Sequence, residues 1–154
     1  ESATLGRVID MGIKDAYEMG AVMAPAAADT IFRHLQDTKR EADYYDLILT
    51  GDLGSVGKKI LVDYMYTEYG IELHHYDDTA AMIFDLERQS VYSGGSGPAC
   101  APLVTYSYIL HQMRKKKLRR VLLVATGALM STTMVNQKLS IPAIAHAVSL
   151  EVVE

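Results

Sequence analysis

Two glycine-rich turns carry the residues of this sequence that could contact a ligand. The first begins with Gly51 and Asp52, directly after a run of apolar residues. A phosphate-binding loop needs four residues between its outer glycines, and then Lys followed by Ser or Thr. Five residues separate Gly51 from Gly57 here, and Lys58 is followed by Lys59, which excludes a nucleotide loop. Asp52 is then either a ligand contact at the end of a strand, where α/β sheets place ligands, or a local cap of the turn.

The second turn contains Gly94, Gly95, Ser96 and Gly97 and precedes a predicted helix. Backbone N–H groups of such a turn can hold a carboxylate or a phosphate, so Gly95 and Ser96 are candidate ligand contacts. Cys100 follows in the first turn of the helix, where the helix dipole would lower the pKa of its thiol and favour a nucleophile. The small residues around Cys100 favour the alternative, in which the thiol only packs against its neighbours.

A run of cations is the strongest charged feature of the sequence. It consists of Arg114, Lys115, Lys116, Lys117, Arg119 and Arg120. Such a run is either the solvated end of a helix, where cations favour the dipole, or a contact for an anionic membrane or partner.

The other titratable residues predict no metal site. No two of the five histidines have the i, i+4 spacing of ligands on a helix, and the carboxylates lack the spacing of a calcium loop. We therefore expect neither a metal nor a cofactor.

The composition limits the class of protein. The chain has 154 residues, 49% of them hydrophobic, and 15 Lys and Arg against 19 Asp and Glu give a net charge of −4. We expect one globular domain over residues 1–154 and no nucleic-acid partner, because nucleic-acid binders are usually basic. A single cysteine excludes a disulfide framework, and no apolar run approaches the ~20 residues of a membrane helix. The first residue is Glu1, which suggests a piece excised from a longer protein.

Apolar runs and turn residues predict the elements that hold these turns. Strands are expected at residues 7–11, 46–50, 120–126 and 143–151, with short ones at 73–76 and 89–92. Helices are expected to start at Pro25, to follow a Ser55 cap, and to run over residues 99–116 with Leu103, Tyr106, Leu110 and Met113 buried. Residues 127–140 are expected to form a loop. This order predicts an α/β fold, a mixed β-sheet with helices on both faces.

Several segments together resemble the C-terminal half of the stage V sporulation protein AD family of spore-forming bacteria. They are residues 23–30, 51–54, 93–97, 124–129 and 144–148. The resemblance covers essentially the whole chain. It implies a thiolase-like half, one of two similar α/β halves, with the N-terminal half absent.

The resemblance also has consequences for catalysis. In thiolase-fold enzymes the first half carries the nucleophilic cysteine, and the second half supplies a His and an Asn or His. By element order these two positions fall near Gly51 and Gly95, which have no side chains to transfer a proton. The resemblance therefore implies no catalytic residue in this chain. The alternative is the C-terminal half of an acyl-thioester condensing or acyl-transfer enzyme whose nucleophile lies in the missing half.

The function that the resemblance implies is binding of dipicolinic acid, a planar pyridine dicarboxylate, for its uptake into or release from the spore. The expected contacts are Gly51, Asp52, Gly95 and Ser96, with backbone N–H groups meeting the carboxylates. The expected partners are other stage V sporulation membrane proteins, and a homodimer is considered as well. The expected location is the periphery of the forespore or spore inner membrane, which the run from Arg114 to Arg120 would contact.

Overall fold

The computed structural model describes residues 1–95 and 97–153. Ser96, one of the four candidate ligand contacts, lies outside the described residues. The five strands are β1 (Ser2–Leu5), β2 (Leu47–Thr50), β3 (Tyr76–Asp78), β4 (Arg120–Ala128) and β5 (Ala143–Glu151). They form one sheet in the order β1-β5-β4-β2-β3. Strand β5 is antiparallel to β1 and β4, whereas β2 is parallel to β4 and β3.

Short and long helices connect these strands. They are α1 (Met19–Thr38), α2 (Gly54–Tyr69), α3 (Thr79–Met82), α4 (Cys100–Val104), α5 (Leu110–Arg114) and α6 (Thr132–Asn136). A 3-10 turn (Ala42–Tyr44) precedes β2, and a π-helical segment (Thr105–Ile109) joins α4 to α5.

Helices cover both faces of the sheet. The side chains of successive strand residues point to opposite faces, so neighbouring residues of one strand show what packs on each side. Ile48 of β2 and Leu122 of β4 pack into the hydrophobic cluster that contains α1 and α2. Their neighbours Leu49 and Val121 pack into a second cluster, with Ile109 of the π-helical segment. The predicted mixed α/β sheet with helices on both faces is therefore confirmed.

The N-terminal strand and the start of the first helix differ from the prediction. Residues 7–11 form no strand, and within them Ile9 makes an isolated bridge to Ala143. The edge strand is β1, because antiparallel pairing with β5 begins at Ser2. Helix α1 begins at Met19, so Pro25 lies inside it rather than in its first turn. The buried alanines of α1 show that close packing outweighs the backbone hydrogen bond that an internal proline removes.

The middle of the chain also corrects three expectations. The short strand predicted at residues 73–76 is β3 at Tyr76–Asp78, where it pairs with β2, and residues 89–92 form no strand. Helix α2 starts at Gly54 without a side-chain cap from Ser55. Residues 127–140, predicted as a loop, contain the end of β4 and the short helix α6.

The helical segment over residues 100–114 changes its buried face at the π-helical turn. Leu103 and Tyr106 were expected in the core, but they are 55% and 74% exposed. Leu103 precedes the π turn and lies in α4, whose buried residues are Cys100 and Val104. A π turn inserts an additional residue into an α-helix and so rotates the side chains that follow it. Ile109 is consequently buried instead, while Met113 is buried as predicted.

Candidate functional site

The first glycine turn is held by a carboxylate that the sequence analysis did not single out. Asp78, at the end of β3, is fully buried and accepts the backbone N–H groups of Leu53 at 3.0 Å and Gly54 at 2.8 Å. Its Oδ2 also accepts the hydroxyl of Thr50 at 2.7 Å, and its Oδ1 accepts the N–H of Ala80 at 3.1 Å. Burial raises the pKa of Asp78, and these hydrogen bonds act in the opposite direction. Asp78 thus takes the capping role that was expected of Ser55.

Asp52 connects the first turn to the second. Its Oδ2 accepts the backbone N–H of Gly97 at 2.7 Å. Its backbone has a φ of 100°, a conformation that residues with a side chain rarely adopt. Burial raises the pKa of Asp52, the N–H of Gly97 lowers it, and the nearby charge of Asp78 raises it further. Asp52 therefore has a structural hydrogen bond, as one of the two alternatives expected. Its carboxylate, however, joins the first turn to the second instead of capping its own turn.

The second turn uses its own backbone donors internally. The N–H of Gly95 donates to the carbonyl of Ala80 at 2.7 Å, and the N–H of Gly94 donates to the carbonyl of Val91 at 3.0 Å. Because Gly97 donates to Asp52, the described N–H groups of this turn are all occupied. The open cluster of N–H groups that was expected to meet a ligand carboxylate is thus not present among the described residues.

A cavity of about 430 Å³ opens between the two turns. Asp52 and Gly95 both line it, so the structure brings these two predicted residues together. Tyr17 and Tyr92 also line it and are fully exposed, which leaves their rings free of protein contacts. Among the described lining residues, Glu18 and Asp52 are acidic and none is Lys, Arg or His. The part of the cavity wall that Tyr17, Glu18, Asp52 and Tyr92 form is therefore aromatic and acidic.

Gly51 lies behind this cavity and not on its surface. It is buried, and a Cβ placed on it would lie 3.3 Å from the backbone nitrogen of Thr126 and 3.4 Å from the Cβ of Ala101. The absence of a side chain at Gly51 therefore serves close packing between the end of β2 and its neighbours. It does not open space for a ligand.

The environment of Cys100 is that of a packed thiol. Burial, and next the charge of Asp52, raise the pKa of Cys100 to about 11. A Cβ on Gly95 would lie 3.1 Å from its Sγ and 3.2 Å from the Cδ1 of Ile83. The expected lowering of the pKa by a helix dipole is wrong, because α4 is short and two carboxylates lie near the thiol. The packing alternative agrees with the structure.

Sequence reasoning missed Asp78, Tyr17 and Tyr92. Asp78 had a usable signal, because it closely follows the strand predicted at residues 73–76, and α/β sheets place ligands at strand ends. The tyrosines had none, because both lie in irregular segments whose position depends on the rest of the fold. Among residues 1–95 and 97–153, no three potential metal ligands come together.

The cationic run divides into two parts. Arg114, Lys115, Lys116 and Lys117 are exposed at the end of α5. The backbone N–H groups of Arg119 and Arg120 donate to Oδ2 of Asp46 at 2.6 and 2.9 Å, and this fixes the start of β4.

The guanidinium of Arg120 lies 4.4 Å from the ring centre of Tyr44, and Arg40 lies 4.3 Å from the same ring. Arg120 is thus engaged within the fold and is not a freely solvated cation. In the described part of the chain, no helix is long and apolar enough to cross a membrane.

The sequence profile of the family described as Stage V sporulation protein AD matches residues 1–151. Stage V sporulation protein AD of Bacillus subtilis (strain 168) is 53% identical over 151 residues, which are 97% of this chain and 44% of that protein. The chain thus spans less than half the length of this relative.

Among solved structures, 3-oxoacyl-[acyl-carrier-protein] synthase III from Aquifex aeolicus VF5 resembles the chain with a TM-score of 0.46 and 10% identity. The match covers 96% of this chain and 45% of that protein.

Proposed function

Because this chain belongs to the stage V sporulation protein AD family, we propose that it forms one wall of a non-enzymatic site for dipicolinic acid. The site serves uptake of this ligand into the spore or its release. Membership of the family gives the chain a role in sporulation, and the choice of ligand and of binding over catalysis is our proposal.

The observation that carries the proposal is the cavity between the two glycine turns. It has a volume of about 430 Å³ and lies where the parallel strands β2 and β3 end, the usual place for ligands in α/β sheets. Tyr17 and Tyr92 are fully exposed beside it. An aromatic ring of the ligand would stack on such rings, and aromatic pairs are worth about 0.5–1.5 kcal/mol beyond their buried area.

The charges of the cavity constrain how such a ligand would lie. Dipicolinate carries two carboxylates, and Glu18 and Asp52 would repel them. We therefore propose that the pyridine ring faces Tyr17 and Tyr92 while the carboxylates point away from Asp52. Groups beyond this wall would then neutralise the carboxylates. Such groups have room in a longer protein, since the relative has more than half of its length outside the match.

Two features support a non-enzymatic role. The pKa of Cys100 is raised to about 11, so its thiolate is scarce at neutral pH. Gly51 is buried against Thr126 and Ala101, so even a Cβ at this position would make tight contacts with Thr126, at 3.3 Å from its backbone nitrogen. Both features disfavour the acyl-thioester alternative for the residues of this chain.

Calorimetric titration of the protein with dipicolinate tests the proposal. We expect saturable binding, weakened about fivefold by Tyr17→Ala and by Tyr92→Asn, the loss equivalent to ~1 kcal/mol of stacking. Asn is chosen at position 92 because it tolerates the positive φ of 51° found there. Tyr66→Ala is the matched control, since Tyr66 is also exposed but lies on α2 away from this cavity. Unchanged affinity in both cavity variants would contradict the proposed wall.

A second assay separates binding from thioester chemistry. Incubation of the protein with acyl-coenzyme A should release no free thiol above the rate in buffer. The alternative is tested on a longer chain that also contains the N-terminal half, because Cys100 is the single cysteine of the present sequence. Turnover by that longer chain that survives Cys100→Ala but is abolished by a thiol-alkylating reagent would support the acyl-transfer alternative instead.

We also propose that the protein acts at the periphery of the spore inner membrane, beside other membrane proteins of stage V. This follows from the membrane partners that the resemblance implies. A homodimer remains a proposal, which measurement of the mass in solution would test.

A further inference from the structure

The end of the molecule that carries Arg114, Lys115, Lys116 and Lys117, here called the basic turn, has a fixed backbone. The N–H of Lys115 donates to the carbonyl of His111 at 3.1 Å, that of Lys116 to Met113 at 2.8 Å, and that of Lys117 to Gln112 at 3.0 Å. The four exposed cations therefore project from an ordered helix end.

The charge of the basic turn is not neutralised by the rest of the fold. In the part of the chain that the structure describes, none of its four side chains is in an ion pair. The neighbouring carboxylate of Asp46 is engaged by the N–H groups of Arg119 and Arg120. The whole chain has a net charge of −4, so the basic turn is a local cluster of positive charge on an acidic protein.

The basic turn and the cavity lie at opposite ends of the molecule. Cys100 is beside Gly95 at the cavity end, and the helical segment from Cys100 ends at Arg114. At about 1.5 Å per residue this segment spans ~20 Å. Strand β4 runs in the reverse direction, from Arg120 at the basic end to the cavity end, where Met130 lines the cavity.

We propose that the basic turn docks the protein on the surface of an anionic lipid bilayer, with the cavity facing away from the membrane. Lys and Arg near such a surface are attracted by the phosphate groups and the negative surface potential. Five cavities in the described part of the chain contain no residue of the basic turn. This agrees with attraction to an extended anionic surface rather than capture of a small anion.

The same surface is poorly suited to a nucleic acid. Single-stranded nucleic acids combine cations with exposed aromatic rings on which bases stack. Tyr44 lies near this end, and its ring is already in contact with Arg40 and Arg120. An acidic protein segment is the competing partner, and the experiment below separates it from lipid. The proposal does not depend on the identity of the cavity ligand.

Vesicle co-sedimentation tests the proposal. The probes are vesicles of phosphatidylcholine alone and of phosphatidylcholine with phosphatidylglycerol in a roughly 3:1 ratio. We expect binding to the mixed vesicles at about 0.05 M salt, and its loss at about 0.5 M salt through screening. The triple variant Lys115→Gln, Lys116→Gln, Lys117→Gln should bind roughly a hundredfold more weakly, about fivefold for each cation removed.

The matched control is the triple variant Lys14→Gln, Lys59→Gln, Lys138→Gln. It removes the same charge from three exposed lysines outside the basic turn. Lys138 has a φ of 54° and Lys116 a φ of 56°. Each triple variant therefore replaces one lysine that has a left-handed backbone conformation. We expect this control to bind like the wild type.

Three outcomes would overturn the proposal. They are an equal loss of binding in both triple variants, equal binding to neutral and mixed vesicles, and binding of soluble polyglutamate without any binding to the vesicles. The last outcome would assign the basic turn to an acidic protein partner.

Discussion

Oδ2 of Asp52 accepts the backbone N–H of Gly97 at 2.7 Å, across 45 residues of sequence. This bond holds the second glycine turn against the first, and Asp78 holds the first turn through the N–H groups of Leu53 and Gly54. Two carboxylates of the protein thus occupy backbone donors that an anionic ligand would otherwise use. The shape of the cavity depends on both of them.

The ionisation of Asp52 should make stability depend on pH. Its pKa is raised in the folded state, so at pH values above 3.8 the folded protein holds a proton more tightly than the unfolded chain does. The contribution of Asp52 to stability is therefore greatest at low pH and declines as the pH rises through its raised pKa. Asp52→Asn keeps an oxygen for Gly97 and removes the titration, so we expect its stability relative to wild type to increase as the pH rises above 3.8.

Urea unfolding of both proteins at a series of pH values from 4 to 8 measures this difference. A stability difference that stays constant over the whole series would contradict the raised pKa of Asp52.

Removal of the Asp78 carboxylate should destabilise the fold strongly. Asp78→Ala leaves the buried N–H groups of Leu53 and Gly54 without an acceptor, and each such group costs about 1–3 kcal/mol. We expect a loss of ~3 kcal/mol or more in the free energy of unfolding. Asp63 offers a control, because it is exposed on α2 and forms no ion pair in the described part of the chain, so Asp63→Ala should cost about 0.5 kcal/mol or less. Similar losses in the two variants would argue against the anchoring role of Asp78.

Gly95 and Cys100 should be coupled through packing. A Cβ at Gly95 would lie 3.1 Å from Sγ of Cys100, closer than side chains normally approach. We expect Gly95→Ala to destabilise the protein by about 1–2 kcal/mol through overpacking. Cys100→Ala removes the sulfur atom, so the double variant should be more stable than the sum of the single effects predicts, by at least ~0.5 kcal/mol. Thermal unfolding of the wild type, the two single variants and the double variant gives this double-mutant cycle. Additive effects of the two substitutions on stability would refute the coupling.

His34 should make the protein less stable in acid. Its ring is fully buried between Tyr45 and Thr4, with hydrogen-bond distances of 2.7 and 2.8 Å. Burial, and then Arg40, lower the pKa of His34 from 6.5, while Asp37 opposes this change. As the pH falls below 6.5 the unfolded chain binds a proton that the folded protein resists, so stability decreases.

His34→Gln should therefore flatten the loss of stability below pH 6.5. His74→Gln is the control, because it makes the same substitution at an exposed position outside this hydrogen-bond network. Urea unfolding at several pH values gives both slopes, and a wild-type slope retained in His34→Gln would assign the acid sensitivity to other groups.

Local patterns in the sequence were sufficient for the class of fold and for its central elements. The apolar runs that became β2, β4 and β5 were recognised, because each is long enough to identify a buried strand without its neighbours. The same patterns predicted helices on both faces of the sheet. The glycine turns were recognised as candidate site segments, and Asp52 and Gly95 line one cavity.

Other features depended on contacts between distant residues. Strand β1 exists because Ser2 pairs with Ser149, and the π-helical turn at Thr105–Ile109, which places Ile109 in the core, has no signal in helical spacing. The raised pKa of Cys100 likewise depends on its burial and on Asp52, although its position near a helix start suggested a lowered pKa.

The sequence by itself thus determined the sheet class, the family and the two glycine turns, because local hydrophobic periodicity and recurrent motifs encode them. Tertiary structure alone decided that Asp52 bonds to Gly97, that Asp78 fills the first turn, and that Gly51 is packed rather than open. The physical reason is that hydrogen bonding and burial at these positions involve partners far apart in the chain. Their free energies depend on the folded environment, and the type of a single residue does not reveal it.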